Sequence, residues 1–221
     1  GGGRACDVGS ESRESGCRGP RRLAGWGFAA YRDDVGVSFV YLGAELGASV
    51  DAVIGADMIR EFTLCVHSSE KMVQFLSVPP AGNIVLPVRH FMQVPIIQLV
   101  ANGQLLSAYF DTGSPLSYLR ADAFSGLQAE AQQEEFYPLV GNFHTRIYPL
   151  PVSIGGAHKT WRFGKLPIEL ECLLEAGQVQ AIVGTELLRH FGICLSLRDR
   201  VMRLELPFNR QGGADQRVHG A

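Results

Sequence analysis

Long apolar runs and a strong net charge are both missing from this chain. No uninterrupted apolar stretch reaches the roughly 18–20 residues that a membrane-spanning helix needs, so we expect a soluble protein without a membrane partner. The 20 basic and 22 acidic residues nearly balance and give a formal net charge of -2. Because a nucleic-acid-binding surface is usually basic, this balance argues against a nucleic-acid partner.

Metal-ligand spacings are absent as well. The histidines show no H-E-x-x-H pattern and the cysteines form no CxxC pair, so we expect no metal and no organic cofactor. Cys65 and Cys194 lie in apolar runs, which predicts buried free thiols in strands. A reducing compartment, the cytoplasm, is the simplest fit for such thiols. The chain begins at Gly1 rather than at methionine, so we expect natural residues before it, including any targeting signal.

Short apolar segments separated by turn residues make up most of the chain. Asn102-Gly103 between two such segments is the strongest short signal for a hairpin. The regular spacing predicts an all-β barrel or sandwich. Strands are expected at 35–42, 62–66, 72–76, 84–89, 94–101, 105–110, 143–150, 151–154, 166–172, 192–197 and 201–206. Short helices are expected at 121–124, 127–135 and 186–190, with the acidic run 130–135 as a solvated helix face and Trp161 and Phe163 in the core.

An internal repeat divides the chain. The segment 50–62 aligns without a gap with 179–191, and the match continues through Cys65 and Cys194. Such self-similarity predicts two related lobes, the first ending near Phe75 and the second near Leu206. The organisation that we expect is a poorly ordered segment at 1–34, a truncated or degenerate first lobe at 35–78, a linker, a complete lobe at 84–208 and a flexible tail at 209–221.

The sequence Asp-Thr-Gly-Ser at 111–114 carries the sharpest chemical signal. It follows an apolar strand, so a tight turn would present the carboxylate of Asp111 at the strand end. Gly113 would let the backbone approach and offer an amide N–H, while Thr112 and Ser114 bring short hydroxyls. An ordinary Asx turn in a β protein has the same residue types. The later element 182–184, which precedes a short helix, favours a catalytic loop over that simpler interpretation.

The hairpin at Asn102-Gly103, the loop at 111–114 and the element Ile182-Val183-Gly184 together resemble the retropepsin-like aspartic proteases, in the clan of pepsin and retropepsin. The resemblance covers 94–206 and extends more faintly through the repeat to 34–75. It implies an all-β acid-protease barrel of two related lobes, acting as an endopeptidase on a peptide or protein substrate. In that mechanism two carboxylates share a proton and activate a water molecule, and Asp111 would be one of them.

The resemblance also implies roles for the neighbours of Asp111. Thr112 would hydrogen-bond across the carboxylate pair, and Gly113 and Ser114 would hold the carboxylate oxygens. The element Ile182-Val183-Gly184 would support the loop from beneath.

A flap over the substrate is a further implication of the resemblance. The stretch 139–144, with Gly141 and Asn142 at its turn, is one candidate. The glycine turn at 153–156 is the alternative.

A second catalytic aspartate is not obvious in the sequence. Asp7 is the nearest candidate, although no buried strand precedes it and it lies closer to Gly55 than Asp111 lies to Gly184. Asp34 leaves too few residues before Gly55 to build a lobe. Three alternatives remain: a homodimer that brings two copies of Asp111 together, an aspartate in residues that precede Gly1, or a non-catalytic retropepsin-like module for dimerisation or partner binding.

Overall fold

A computed structural model defines two separate units, 1–54 and 55–221. It describes residues 18–23, 26–30, 33–34, 37–38, 43–44, 47–49, 54–82, 84–137 and 140–206. In the first unit β1 (Arg18–Leu23) pairs antiparallel with β2 (Trp26–Ala30), and β3 (Asp33–Asp34) pairs with β4 (Val37–Ser38). The division falls inside the expected first lobe, and the domain boundaries derived from the sequence stay a prediction.

Strands dominate the second unit, which confirms the expected all-β fold class. Its strands are β5 (Thr63–His67), β6 (Met72–Leu76), β7 (Ile84–Pro87), β8 (Arg89–Phe91), β9 (Val94–Ala101), β10 (Gln104–Phe110), β11 (Ser117–Leu119), β12 (Ala131–Tyr137), β13 (Gly141–Ile154), β14 (Ala157–Lys165), β15 (Ala181–Val183), β16 (Gly192–Ser196) and β17 (Val201–Glu205). The helices are α1 (Ala56–Ile59), α2 (Glu171–Gly177) and short 3-10 turns at Ser68–Glu70, Ala121–Phe124, Ile168–Leu170 and Thr185–Arg189. Among the described residues, no helix is long and apolar enough to cross a bilayer.

Eight strands form a curled sheet in the order β12-β13-β14-β11-β15-β10-β9-β8. β13 pairs with β9 as well as with β14, so the strands from β13 to β9 close into a ring. Closure pairs backbone groups that would otherwise be left at an open sheet edge. Trp161 and Phe163 lie within the core, each with 0% of its surface exposed, so their expected packing role is confirmed.

The hairpin between β9 and β10 turns at Asn102-Gly103, as predicted. The two turn residues have φ angles of +48° and +78°. Positive φ at both central positions is the geometry of a type I′ turn, whose twist matches that of the flanking strands. This turn fixes the register between β9 and β10, and β10 leads directly into the Asp-Thr-Gly-Ser loop.

The sequence repeat is also a structural repeat. A second sheet has the order β6-β5-β16-β17-β7 and contains both repeat hairpins. The pair Thr63 and Leu76 in the first hairpin corresponds to the pair Gly192 and Glu205 in the second, and the remaining pairs follow with the same offset. The two hairpin turns even share a left-handed residue at equivalent positions, Lys71 with φ 52° and Arg200 with φ 56°.

The two hairpins meet around an approximate two-fold axis. β5 pairs antiparallel with β16 so that Cys65 lies opposite Cys194, the equivalent position of the other repeat. These residues are 129 apart in the sequence and form a disulfide. The prediction of two buried free thiols is therefore wrong, and the argument for a reducing compartment loses its basis. The apolar runs around both cysteines correctly indicated burial, but only the pairing of β5 with β16 brings the sulfur atoms together.

The helix expected at 127–135 is wrong, because its C-terminal half is part of β12. β12 pairs along its whole length with the first half of β13, from Ala131 opposite Ile147 to Tyr137 opposite Gly141. The backbone hydrogen bonds that β13 offers outweigh the weak helical preference of the Gln- and Glu-rich sequence.

The strand expected at 166–172 is also wrong, because most of this stretch is helical. This stretch contains a 3-10 turn and the start of α2. Leu166, Leu170 and Leu174 are all buried, and their four-residue spacing is the helical period rather than the alternation of a strand. The strand β14 at 157–165 was not anticipated.

Candidate active site

Asp111 lies immediately after β10, where two parallel strands run side by side. Phe110, the last residue of β10, pairs with Val183 of β15. The Asp111 backbone N–H donates to the Val183 carbonyl oxygen at 2.9 Å. The strand end therefore fixes the backbone of Asp111, while its side chain remains partly exposed.

One backbone donor holds the carboxylate. The Gly113 N–H donates to Asp111 Oδ1 at 2.8 Å, and Thr112 and Gly113 are both exposed at the surface of the turn. The turn thus orients a carboxylate whose side chain is partly exposed.

Ser114 stabilises the loop rather than the carboxylate. Its side chain is buried, and its Oγ donates to the Leu116 carbonyl oxygen at 2.8 Å. This contact differs from the role that the family resemblance implies for Ser114. Ser117, which the sequence interpretation did not single out, is also buried and accepts a hydrogen bond from the Gly184 N–H at 3.3 Å.

The element Ile182-Val183-Gly184 lies directly against this loop. Ile182 and Val183 are 3% and 0% exposed. The next residue, Thr185, donates its N–H to the Ser114 carbonyl oxygen at 2.7 Å. A Cβ atom at Gly184 would overlap the carbonyl oxygens of Ser114 and Leu116, so only glycine allows the two segments to approach this closely.

We expect Gly184→Ala to destabilise the protein by about 3 kcal/mol, since overpacking against rigid backbone commonly costs 1–3 kcal/mol and sometimes more. For a chain of this size the melting temperature should fall by about 6–12 °C. Thermal unfolding followed by circular dichroism measures the change. Gly113→Ala is the matched control, because its Cβ would meet only Asp111 Oδ1, at 3.2 Å. Equal melting temperatures for Gly184→Ala and the wild-type protein would contradict this packing.

The hairpin of β12 and β13 packs beside the loop. Val140 and Phe143 contact the apolar cluster that contains Leu116 and Tyr118, and the rings of Phe143 and Tyr118 are 6.2 Å apart. Gly141, with φ +83°, begins β13, and Asn142 beside it is exposed. Residues 138–139 lie outside the described part of the chain.

The alternative flap turn at 153–156 packs elsewhere. A Cβ atom at Gly155 would overlap the side chain of Ile84 and approach that of Leu86 at 3.3 Å. Both side chains belong to β7 of the second sheet. The turn is therefore covered by that sheet, whereas the hairpin of β12 and β13 neighbours the Asp111 loop.

The charge of Asp111 reaches two tyrosines around the loop. Burial raises the pKa of Tyr137, and the negative charge of Asp111 raises it further. The pKa of Tyr118 is raised by burial first, then by the charge and hydrogen bond of Glu135, and then by Asp111. Both hydroxyls therefore remain protonated donors across the ordinary pH range. Tyr137 belongs to β12, so the hairpin lies within electrostatic range of Asp111.

Glu135 on β12 is a buried carboxyl group that sequence reasoning missed. It is 5% exposed, contacts Gln133 Nε2 and is hydrogen-bonded to Tyr118. Burial raises its pKa, while the hydrogen bonds from Tyr118 and Gln133 and the charge of Arg162 oppose the rise. The expected solvated helix face at 130–135 is thus wrong for this residue. The adjacent Phe136 and Tyr137, typical strand residues, were the available signal.

We expect the wild-type protein to lose stability relative to Glu135→Gln as the pH rises from about 4, near the ordinary glutamate pKa, to neutrality. A carboxyl group whose folded pKa is raised contributes stability that is complete below its unfolded pKa and is lost as the pH passes the folded value. Melting temperatures of both proteins across this range test the effect. Glu134→Gln, at an exposed neighbouring position, should follow the wild-type curve. Parallel curves for Glu135→Gln and wild type would disprove the prediction.

Asp7, the candidate second carboxylate, lies outside the described residues, and so does the tail at 209–221.

Comparison with known proteins finds similarity only among solved structures. No protein-family model matches the chain, and no curated protein matches it. The solution structure of Simian Foamy Virus (mac) protease has a TM-score of 0.31 and 11% identity, over 41% of this chain and 87% of that one. EIAV protease complexed with the inhibitor HBY-793 has a TM-score of 0.33 and 19% identity, over 46% of this chain and 90% of that one. Likeness at this level carries no assignment of chemistry.

Proposed function

We propose that this protein is an aspartic endopeptidase in which Asp111 and a second aspartate share one proton and activate water against a peptide carbonyl. The observation that supports this most is the loop itself. A partly exposed carboxylate follows a buried strand, accepts the Gly113 N–H and is supported by the close approach of Gly184. An isolated Asx turn would need no such supporting segment.

The two carboxylates and the hairpin of β12 and β13 have different roles in this mechanism. The unprotonated carboxylate accepts a proton from the attacking water, and its protonated partner donates to the developing oxyanion. Two like charges at close range cannot both ionise, so the pair divides into acid and base without a metal ion. The hairpin of β12 and β13, with Gly141 and Asn142 at its start, would cover the substrate and exclude water.

The second aspartate can come from the same chain or from a second copy of it. The β16 edge is already paired with β5 of the same chain, so a second copy would have to approach by another surface. Equivalent positions of the two repeats are 129 residues apart, and neither 129 residues before nor 129 residues after Asp111 falls between Gly1 and Ala221. The repeat spacing therefore assigns Asp111 no counterpart among these residues. Asp7 would serve only in a shorter first lobe, and residues before Gly1 or a second chain are the other sources.

Digestion of a peptide library, with and without a statine-type inhibitor and from acidic to neutral pH, tests the proposed activity. We expect inhibitor-sensitive endoproteolytic cleavage. Complete absence of cleavage by the folded protein at every pH would refute it.

The rival function is a non-catalytic module for dimerisation or partner binding. It is favoured by one observation: a single Asp-Thr-Gly-Ser loop occurs within the described ranges. Cleavage in the library would exclude this rival as the whole function.

A further inference from the structure

The two-fold symmetry of the repeat hairpins breaks at one end of the Cys65–Cys194 pair. On one side of the pair, β5 and β16 carry Thr63 opposite Ser196, and Leu76 lies beside Thr63 on β6. By the repeat spacing, Thr63 corresponds to Gly192 on the other side, Ser196 to His67 and Leu76 to Glu205. Three positions therefore depart from the repeat together. His67 and Gly192 each lie two residues from a cysteine of the same strand, and Glu205 lies opposite Gly192.

These departures build one compact cluster. His67 lies two residues after Cys65, so both side chains point to the same face of β5. A Cβ atom at Gly192 would lie 2.9 Å from His67 Nδ1, which shows that the missing side chain makes room for the imidazole. Glu205, opposite Gly192 on β17, places Oε2 3.7 Å from His67 Nδ1.

The donor atoms are close enough to share one ion. The sulfur atoms of Cys65 and Cys194 and a ring nitrogen of His67 all lie within 4.8 Å of one another. Two thiolates and an imidazole are ligand types that tetrahedral zinc sites use. The two cysteines are 0% and 1% exposed, whereas the His67 and Glu205 side chains are 16% and 37% exposed. An ion would therefore enter from the side of the histidine and the glutamate.

We propose that Cys65, Cys194 and His67 form a redox-gated zinc site, in which Zn²⁺ replaces the disulfide as the link between the two repeats and Glu205 orients the imidazole of His67. A dithiol reductant transfers two electrons and two protons to the disulfide, yielding two thiols and the oxidised, cyclic disulfide of the reductant. Zn²⁺ then binds both thiolates and releases their two protons to solvent. His67 supplies the third protein ligand and a water molecule the fourth, so β5 and β16 stay joined in either redox state.

The test compares zinc binding by the full chain in its two redox states. Because both sulfur atoms are buried, the chain is reduced in denaturant and refolded with a dithiol, with and without Zn²⁺. We expect one equivalent of Zn²⁺ to depend on the Cys65–Cys194 pair in the reduced protein, and none to bind there in the oxidised protein. Co²⁺ used as a probe should show thiolate charge-transfer absorption in the reduced protein alone.

His67→Ala should weaken zinc binding by at least about tenfold, the lower end of what loss of even a supporting group costs at a metal site. Ser196→Ala, at the symmetry-equivalent position, is the matched control and should bind as the wild-type protein does. Cys65→Ser separates this site from Cys172, the free and exposed cysteine. Equal binding by His67→Ala and wild type would overturn the proposal. So would full zinc uptake by Cys65→Ser, or a reduced chain that fails to refold even with Zn²⁺.

Discussion

Replacement of Asp111 with asparagine is expected to lower peptide hydrolysis by roughly a thousandfold or more, because general acid-base catalysis typically contributes factors of 10²–10⁴. An amide can neither accept the proton of the attacking water nor share a proton with a second carboxylate. The change is almost isosteric, and the Gly113 N–H can still donate to the amide oxygen in place of Asp111 Oδ1. The melting temperature should therefore stay close to the wild-type value.

Steady-state kinetics on a peptide found by library digestion measures this loss. Asp122→Asn, at an exposed position in the 3-10 turn of 121–124, is the matched control and should retain full activity. Retained hydrolysis by folded Asp111→Asn would remove the proposed catalytic role of this residue, whatever other protease activity the chain had.

Asp7→Asn then distinguishes the sources of the second carboxylate. An equal loss of activity would support a single-chain pair of Asp7 and Asp111. Full activity that depends on protein concentration would support two copies of Asp111 in a dimer, and full activity that does not would point to an aspartate elsewhere in the chain.

Loss of the disulfide is expected to have the largest effect on stability. Cys65→Ala combined with Cys194→Ala removes a cross-link between residues 129 apart in the sequence. A cross-link over a loop of this length is worth about 5 kcal/mol in the chain-entropy description, because it restricts the unfolded chain. The melting temperature should fall by about 10–20 °C for a protein of this size.

Thermal unfolding of the oxidised proteins in the presence of a metal chelator isolates this effect from any bound ion. Cys172→Ser provides the control, since Cys172 is exposed and free. If the double variant melts within about a degree of the wild-type protein, the disulfide does not restrain the unfolded chain as we describe. The zinc proposal is tested separately, by zinc binding to the reduced protein.

Local sequence signals accounted for the elements whose structure depends on near neighbours. Asn102-Gly103 predicted the hairpin because positive φ angles at both positions are accessible to these two residues. The apolar strand followed by Asp-Thr-Gly-Ser indicated where a carboxylate would emerge. The ungapped repeat indicated equivalent hairpins, since the same apolar alternation and the same turn recur at a fixed spacing.

Elements that depend on distant partners were not accessible in this way. The sequence around Glu135 is compatible with helix or strand, and β13 decided between them by offering a ladder of hydrogen bonds. Burial of the Glu135 carboxyl group, and its hydrogen bond to Tyr118, follow from that pairing.

The sequence by itself determined that this chain forms a repeated, strand-rich fold with a carboxylate at the end of a buried strand. Only the tertiary structure decided how the strands of the two repeats pair with each other. Considered from the sequence alone, two cysteines in apolar runs favour buried free thiols over a disulfide or metal ligands. The antiparallel meeting of β5 with β16 aligned them on the two-fold axis and joined them. Pairing between strands that lie more than a hundred residues apart depends on the folded core, which no local pattern encodes.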